Sequence, residues 1–457
     1  MASFNNTEIA FRSKSNIKLK KAYYLFKLMG KPALAAIGGK LSKIAFTLHL
    51  PIAGLVKNTV FDQFCGGESI EECAVKIEEL ANSNIKTILD YSVEGKNDEL
   101  DFNKTMKQTL ASLDYAKDNK DIPFAVFKIT GLARFELLEK INFGKILSED
   151  EQKEYNRVLH RIDKICKKAH QYKKPVMIDA EESWIQDTID ALVEEMMRTY
   201  NKEQAIVFNT LQMYRHDRLD YFKRIHKDSL HNGYFVGMKI VRGAYMEKEN
   251  TRAKAKGYPT PIQPNKEASD RDYDLALEYA CENIHGISIC AGTHNEESSK
   301  YLMNLMSIHK IEKNASKVYF AQLLGMSDHI SYNLANAEYN SVKYVPYGPV
   351  KEVLPYLIRR AEENTSIAGQ TGRELNLIEL EIKRREVVDT FLSYGYGLVV
   401  PPLIEYHDSL LTNSSDDLDL QTFKLIDQET GRQLGLRADI TSQISRIYSI
   451  YNDKDEV

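Results

Sequence analysis

The 457-residue sequence lacks the motifs that identify several classes of site. Its five cysteines form no CxxC pair and are odd in number, which argues against a disulfide framework or a zinc site and for a reducing compartment. No HExxH motif indicates a metal site, no secretory signal peptide is recognisable, and no apolar run reaches the ~18–20 residues needed to cross a bilayer. We therefore expect a cytoplasmic globular protein without a metal site.

Acidic residues are absent from Ile9 to Phe61, a stretch that contains ten lysines and arginines. Aromatic and aliphatic residues lie between these cations, most densely from Tyr23 to Met29. A basic amphipathic segment of this kind can lie on an anionic membrane surface, so one interpretation is peripheral contact with the inner face of the membrane. The other is a helical arm that packs on the main domain and exposes its lysines to solvent. The sequence leaves both open.

From residue 85 onward, short runs rich in Val, Ile and aromatic residues alternate with longer charged, amphipathic segments. The runs are typical of strands and the segments of helices. The eight runs are IKTILDYS (85–92), PFAVFKIT (123–130), PVMIDAE (175–181), AIVFNTLQM (205–213), FVGMKIVRGAY (235–245), GISICAGTHN (286–295), KVYFAQLLG (317–325) and VKYVPYG (342–348). This alternation predicts a TIM-type (β/α)8 barrel over residues 85–385, preceded by a helical arm at 1–84. No GxGxxG motif follows the first run, so a doubly wound nucleotide-binding sheet is not expected.

Polar side chains cluster at the C-terminal end of seven of these runs. They are Lys128, Asp179, Glu181, Gln212, Lys239, Arg242, Thr293, His294, Gln322 and Tyr344. In a barrel these strand ends meet at one mouth, where the active site lies. An excess of cations favours an anionic ligand, either a small carboxylate or a phosphate-bearing cofactor. No Ser/His/Asp or Cys/His nucleophile is evident, and His294 suits an acid–base role or a ligand contact, so we expect a cofactor to carry the chemistry.

A further polar set follows the eighth run, in the segment YLIRRAEEN. Tyr356, Arg359, Arg360 and Glu363 fall at i, i+3, i+4 and i+7, which places them on one face of a helix. Arginine presents a planar fork of donors that grips a carboxylate, and Glu363 lies one turn away, where it can orient both arginines. Such a face is not expected to be buried. A solvated face with ordinary ion pairs is the alternative interpretation.

Seven motifs occur in the order found in the proline dehydrogenase family, which this chain resembles over residues 60–385. They are FKITGL at Lys128, IDAEES at Asp179, LQMY at Gln212, KIVRGAYMEKE at Lys239, GTHN at His294, YVPYG at Tyr344, and YLIRRAEEN. The resemblance implies FAD-dependent oxidation of L-proline to Δ1-pyrroline-5-carboxylate, the first step of proline catabolism, with electrons passed to a quinone acceptor. Oxidation of another cyclic imino acid by a flavin barrel is the alternative.

The resemblance also implies a role for each matching residue. Lys128, Arg359 and Arg360 would hold the proline carboxylate. Tyr344 and Tyr356 would surround the ring, and Glu363 would order Arg359. The residues that would bind FAD are Ala180, Gln212, Lys239, Arg242, Gly243, Ala244, Thr293 and His294. In the catalytic site, Lys239 would lie near the flavin N5 where hydride arrives, and Asp179 would fix the hydrogen bonding.

Near residue 385 the sequence changes character. The runs FLSYGYGLVVPPLIEYHDSLL and LRADIT resemble the first two motifs of the histidyl-tRNA-synthetase-like regulatory subunit of ATP phosphoribosyltransferase, a histidine-biosynthesis protein. Ser442 stands where that family usually has proline. We expect residues 386–457 to be a partial class II synthetase-like domain, fused or wrongly joined to the barrel, with part of its sheet unpaired. A functional regulatory module of histidine biosynthesis is the alternative, and no nucleic-acid partner is expected.

Overall fold

The computed structural model divides the chain into two compact units, Met1–Ile382 and Lys383–Val457. The structure describes residues 3–30, 53–92, 98–366, 368–410, 422–428, 430–437 and 439–452. At residues 53, 55, 361–366, 368–371, 442 and 450–452 it describes the backbone alone.

The first unit contains a closed barrel of eight parallel strands, in which each strand pairs with the next and the last pairs with the first. The strands are β1 (Ile85–Tyr91), β2 (Phe124–Lys128), β3 (Val176–Asp179), β4 (Val207–Gln212), β5 (Val236–Val241), β6 (Ile287–Gly292), β7 (Val318–Leu323) and β8 (Ser341–Tyr347). Seven lie within their predicted runs and β8 begins one residue earlier, so the predicted (β/α)8 fold is confirmed.

Helices precede the barrel and separate its strands. Before β1 come α1 (Thr7–Phe11), α2 (Asn16–Met29), α3 (Ala53–Val56), a π-helical turn (Lys57–Phe61), α4 (Asp62–Phe64) and α5 (Ala74–Ala81). Next come α6 (Glu99–Ala116), a 3-10 turn (Ile129–Gly131), α7 (Phe135–Asn142), α8 (Glu149–Tyr172), α9 (Ser183–Tyr200), α10 (Arg218–Asn232), α11 (Met246–Lys256), α12 (Lys266–Glu282), α13 (Glu296–Ile308), α14 (Asp328–Asn336), α15 (Val350–Ser366) and α16 (Ala368–Ser393). Side-chain caps fix several of their starts; Ser148, for example, forms a capping box with Glu151 at α8.

An apolar plug fills the barrel interior and sets the height of the site above it. Its members include Ile88, Phe124, Met177, Phe208, Cys290, Tyr319 and Val342. The Phe124 ring meets Tyr319 edge to face, with ring centres 4.9 Å apart. Because side chains alternate across a strand, the residue two positions further along points the same way. After Ile88, Met177 and Val342, those residues are Asp90, Asp179 and Tyr344, so a polar layer lies directly above the plug.

The described part of the N-terminal arm packs within the barrel unit. Leu19, Ala22, Phe26 and Met29 of α2 are buried in a cluster with apolar residues of α15 and α16. In the segment just before α2, Lys14 Nζ lies 3.3 Å from Asp328 Oδ2. The apolar side of α2 is therefore occupied by the protein, as the packing interpretation expects. Membrane contact by the arm stays a prediction, and the arm's cations between residues 31 and 52 lie outside the described residues.

None of the described helices combines the length and the apolar character that crossing a membrane requires.

In its described residues, the second unit contains the end of α16 from Lys383, a small antiparallel sheet and two further helices. Its strands are β9 (Ile404–Tyr406), β10 (Phe423–Ile426) and β11 (Gln433–Leu436), in the order β10–β11–β9, and its helices are α17 (His407–Leu410) and α18 (Thr441–Asn452). Phe423 and Ile426 are exposed by 76% and 72%. Among the described residues β10 pairs only with β11, so this strand presents an open, apolar edge.

Candidate active site

Asp179 is the centre of the hydrogen bonding in the polar layer above the plug. Lys239 Nζ donates to Asp179 Oδ1, and the Tyr344 hydroxyl lies 3.0 Å from both Oδ1 and Oδ2. The Lys239 Nζ also lies 4.9 Å from the centre of the Tyr344 ring. Burial and the charge of Asp179 raise the pKa of Tyr344 well above its usual value, so this hydroxyl remains a donor. Three residues predicted from three different strands thus form one buried network.

Asp90, at the end of β1, is a second carboxylate at this level that the sequence analysis does not single out. It follows the apolar pair Ile88–Leu89 just as Asp179 follows the apolar run VMI, so the same strand-end signal could have identified it. Ser92 Oγ donates to Asp90 Oδ2. Burial raises the pKa of Asp90 to about 6; the negative charge of Asp179 adds to this rise and the charge of Lys128 opposes it.

Lys128 ends β2 directly beside Asp179 in the register between β2 and β3. Its charge acts on Asp90, on Glu181 and on the Tyr245 hydroxyl, which places its ammonium group among them. Glu181 accepts the backbone N–H of Thr130 at 3.0 Å and the hydroxyl of the same residue. Burial raises the pKa of Glu181 to about 7.

The predicted arginine helix exists as α15. Tyr356 and Arg360 are buried, and the guanidinium carbon of Arg360 lies 5.0 Å from the centre of the Tyr356 ring. The prediction that this face is not buried is wrong for these two residues, because the flat guanidinium stacks on the aromatic ring. Arg359 is half-buried and its charge acts on Tyr245, whereas the charge of Arg360 acts on His294. The side chain of Glu363 lies outside the described residues.

Arg242 follows β5 and is held by a ring of partners. Its Nε donates to Asp270, its two terminal nitrogens donate to Thr293 at 2.8 Å and Ser298 at 2.9 Å, and its guanidinium carbon lies 4.3 Å from the centre of the Tyr273 ring. A guanidinium has five N–H donors. Two therefore remain for an anion at the mouth.

Gly243, the next residue, must be glycine. Its φ of +131° disfavours a side chain, and a Cβ here would lie 2.5 Å from the Tyr214 ring. Gly243 and Ala244 are both exposed. The segment after Arg242 therefore offers an open backbone to a ligand.

The GTHN segment joins β6 to α13. Thr293 Oγ1 accepts the backbone N–H of Asn295 at 3.0 Å as well as its bond from Arg242. Asn295 caps α13 by accepting the N–H groups of Glu297 and Ser298. The short turn thus fixes Thr293 beside Arg242.

His294 points toward the loop after β7. Its Nδ1 lies 2.9 Å from Ser327 Oγ, and Ser327 has a left-handed φ of +51°. Burial lowers the pKa of His294 to about 3, and the charges of Lys343 and Arg360 add to this effect. The imidazole is therefore neutral near pH 7. Of the two roles left open for His294, this favours a hydrogen-bonding contact over a general acid.

Two glutamines line the same mouth. The side-chain amide of Gln212 donates to the Glu181 carbonyl at 2.7 Å, next to Ala180 at the end of β3. Gln322 donates to the Thr293 carbonyl at 3.0 Å and accepts from Ser331. Both amides are buried, so each holds the backbone of a neighbouring strand end in place.

A phosphate-bearing flavin suits this donor set. Arg242 keeps two donors for an anion, and the exposed backbone at Gly243 and Ala244 lets a ligand approach closely. Within the described residues, no group of three or more His, Cys, Asp or Glu could hold a metal ion. The Lys–Asp–Tyr network lies at the C-terminal strand ends of a closed (β/α)8 barrel, which is where the enzymes of this fold have their active sites.

Comparison with known proteins agrees with this class. The family model described as proline dehydrogenase matches residues 73–373. The carbapenem antibiotics biosynthesis protein CarD of Pectobacterium carotovorum subsp. carotovorum is 33% identical over 75% of this chain and 89% of that protein. The mitochondrial proline dehydrogenase 1 of Dictyostelium discoideum is 32% identical over 74% of this chain and 67% of that protein. The chain belongs to the proline dehydrogenase family.

A solved structure shares the fold. Proline utilization A from Bdellovibrio bacteriovorus, inactivated by N-propargylglycine, superposes with a TM-score of 0.60 at 19% identity, over 78% of this chain and 38% of that chain. The family model described as histidyl-tRNA synthetase matches residues 377–456, which bears out the resemblance predicted for the tail.

Proposed function

We propose that this protein oxidises L-proline to Δ1-pyrroline-5-carboxylate with bound FAD and passes the electrons to a quinone. The observation that carries the proposal is the hydrogen-bonded network of Asp179, Lys239 and Tyr344 at the strand ends. The charges of Arg359 and Arg360 on α15 act on Tyr245 and His294, which follow β5 and β6. Membership of the proline dehydrogenase family supports the substrate. The quinone acceptor rests on the sequence resemblance.

The substrate pocket is proposed to recognise a carboxylate beside a small ring. Lys128, Arg359 and Arg360 supply three cations for the carboxylate, and Glu363 orders Arg359. Tyr344 and Tyr356 supply two aromatic faces for the ring. Because the pocket is cationic, it disfavours the protonated form of the ring nitrogen, which must be neutral to release its electrons.

The proposed cofactor site lies along the ends of β3 to β6. Arg242, Gly243 and Ala244 would face the phosphates, and Thr293 and His294 the adjoining part of the cofactor. Gln212 and the backbone of Ala180 would contact the flavin ring. When bound, FAD supplies a two-electron acceptor for hydride at its N5 atom.

Asp179 and Lys239 are proposed to organise the reacting centre. Asp179 accepts from Lys239 and Tyr344 together, so it fixes the positions of both donors above the apolar plug. Lys239 thereby holds a positive charge at a fixed position in the polar layer above the apolar plug, where it can contact the flavin. Positioning of this kind lowers a barrier without acid–base chemistry by these residues.

A visible spectrum of the purified protein tests the function. A bound flavin absorbs in the visible, and anaerobic addition of proline should bleach that absorbance. A protein that carries no flavin, or one whose flavin stays oxidised with proline, would contradict the proposal. Parallel additions of 4-hydroxyproline and pipecolate decide between proline and another cyclic imino acid, because the ring contacts of Tyr344 and Tyr356 depend on ring size and polarity.

A further inference from the structure

Three carboxylates lie near the ends of β1 and β3: Asp90 and Glu181 are buried and Asp179 is partly buried. They differ in how many of their oxygens accept hydrogen bonds from the protein. Asp179 accepts from Lys239 and Tyr344 through both of its oxygens. Glu181 accepts from Thr130 through both of its oxygens. Each oxygen of these two carboxylates therefore already accepts at least one hydrogen bond from the protein.

Asp90 differs from both. Its Oδ2 accepts the hydroxyl of Ser92, and among the described residues nothing donates to its Oδ1. The residue as a whole is buried but retains 9% of its exposure. Its place on β1, two residues after the plug residue Ile88, directs it into the same layer as Asp179 and Tyr344.

We propose that Asp90 is the proton acceptor of this pocket, a role that rests on the proposed oxidation of a cyclic imino acid. The ring nitrogen of the substrate, protonated as it arrives from solution, gives one of its two protons to Asp90 Oδ1, and the electron pair of that N–H bond stays on the now neutral nitrogen. This pair then forms the C=N bond of the protonated imine product as hydride leaves the adjacent C5 in the two-electron oxidation assigned above to FAD. Asp90 afterwards releases its proton to solvent, so atoms and charge balance.

The surroundings of Asp90 set the pH at which it can accept a proton. The described charged or titratable groups that act on it, or on which it acts, are Lys128 on β2, Asp179 on β3, Lys239 on β5, Tyr344 and Tyr347 on β8, and Cys65 before β1. Burial and Asp179 raise its pKa to about 6, whereas the two lysines and Ser92 lower it. Below that pH Asp90 already carries a proton, so turnover falls in acid.

The fall in kcat/KM below about pH 6 is the acid limb of the pH profile, and two substitutions should change it in different ways. Asp90→Asn keeps the shape of the side chain and cannot accept the proton, so kcat/KM should fall roughly 100-fold and the acid limb near pH 6 should disappear. Ser92→Ala removes the hydrogen bond that favours the ionised form. The acid limb should then move upward by roughly half to one pH unit while activity at its plateau changes little.

The experiment uses the purified flavin-loaded protein and measures kcat/KM for proline across pH. Asp150→Asn is the matched control, because the Asp150 side chain is 94% exposed and lies outside the site. Infrared difference spectra between roughly pH 5 and pH 7, one unit either side of the Asp90 pKa of about 6, provide a second readout. Glu181, whose pKa is about 7, contributes to the protonated-carboxyl band in all three proteins. The band should therefore be weaker in Asp90→Asn than in the native protein and the Asp150→Asn control, by the contribution of one carboxyl group.

The outcomes separate the two proposals. If native protein fails to bleach with proline at any pH, the proposed function falls. If native protein bleaches but Asp90→Asn keeps both its acid limb and a carboxyl band of the full native intensity, Asp90 is not the proton acceptor. If Asp90→Asn loses its flavin, Ser92→Ala decides: an unmoved acid limb overturns the inference, and an upward shift supports it.

Discussion

The two units of this protein contain similar apolar strand sequences with opposite burial. In the barrel, all six residues of β4, VFNTLQ, are buried. In the second unit, all four residues of β10, FKLI, are exposed. Both strands carry the aromatic and branched residues that favour extended structure. The difference therefore lies in what surrounds each strand.

The barrel is closed, so every strand has two neighbours and its inner face meets the apolar plug. The second unit has three described strands in an open sheet, where β10 has one neighbour. Its Phe423 and Ile426 have no second layer to bury them within the described part of that unit. Strand propensity alone thus forms a strand, whereas burial requires closure or a covering layer.

Removing a buried charge should have the largest effect, and only on the barrel unit. Lys343 is fully buried; its Nζ donates to the Met326 carbonyl at 2.5 Å and lies 2.9 Å from Asp328 Oδ1. Lys343→Met leaves the Met326 carbonyl without this donor and Asp328 with Lys14 as its neighbouring cation, and the loss of the buried pair should cost about 3–5 kcal/mol of unfolding free energy. The single tryptophan, Trp184, lies in the barrel unit, so its fluorescence in denaturant follows that unit.

Lys317→Met is the control for this measurement. Lys317 also donates to two backbone carbonyls, at 3.0 and 2.8 Å, but it is only partly buried. Lys317→Met should therefore lower the free energy of unfolding by about 1 kcal/mol. Equal losses for Lys343→Met and Lys317→Met would show that burial does not decide the cost.

Each unit contains an arginine that lies over a tyrosine ring, and only the pair in the barrel unit should affect substrate binding. Arg360 lies over Tyr356 at 5.0 Å, and Arg432 of the second unit lies over Tyr406 at 3.6 Å. Arg360→Met should raise the apparent KM for proline by roughly 10- to 150-fold, the loss of about 1.5–3 kcal/mol for a charge-assisted contact, with flavin still bound. Arg432→Met should leave KM unchanged. Steady-state kinetics that show unaltered KM in both variants would refute the carboxylate assignment.

Deleting residues 386–457 should change activity little. The barrel strands and α15 all precede this segment, and the deletion removes the exposed strand β10 with its apolar edge. We expect proline-dependent flavin bleaching to be unaffected and solubility to rise. Loss of flavin from a truncated protein whose Trp184 unfolding is unchanged would show that the second unit contributes to the enzyme.

The smallest effect is expected at the N-terminal arm. One side of α2 is buried, and its exposed side carries Ile17, Tyr24 and Leu28 together with lysines. Each of these lysines contributes about 1 kcal/mol to contact with an anionic membrane, and salt screens that contribution. Lys20→Glu with Lys21→Glu should reduce co-sedimentation with anionic liposomes at low salt. Lys104→Glu with Lys107→Glu on α6 is the matched exposed pair. If both pairs reduce sedimentation equally, the arm has no specific membrane role.

The fold and many of the mouth residues could be predicted because their signals are local. Runs of Val, Ile and aromatic residues mark strands, and a barrel brings every strand end to one mouth. Asp179, Lys239 and Tyr344 were found in this way, and the structure joins them through hydrogen bonds. Asp90 is likewise a polar residue at a strand end, but the sequence does not show that its two oxygens differ in their hydrogen bonding.

Other features depend on residues far apart in the chain. The burial of Arg360, the ring beneath it, and the chain of Lys343, Asp328 and Lys14 all require partners that only folding brings together. The neutral state of His294 likewise follows from burial and from charges on other elements. Hydrophobic periodicity was enough to define strands, helices and the end of each strand that bears chemistry. Tertiary structure decided which side chains ionise and why β4 is buried whereas β10 is exposed. The reason is that desolvation and Coulomb interactions depend on distance in space.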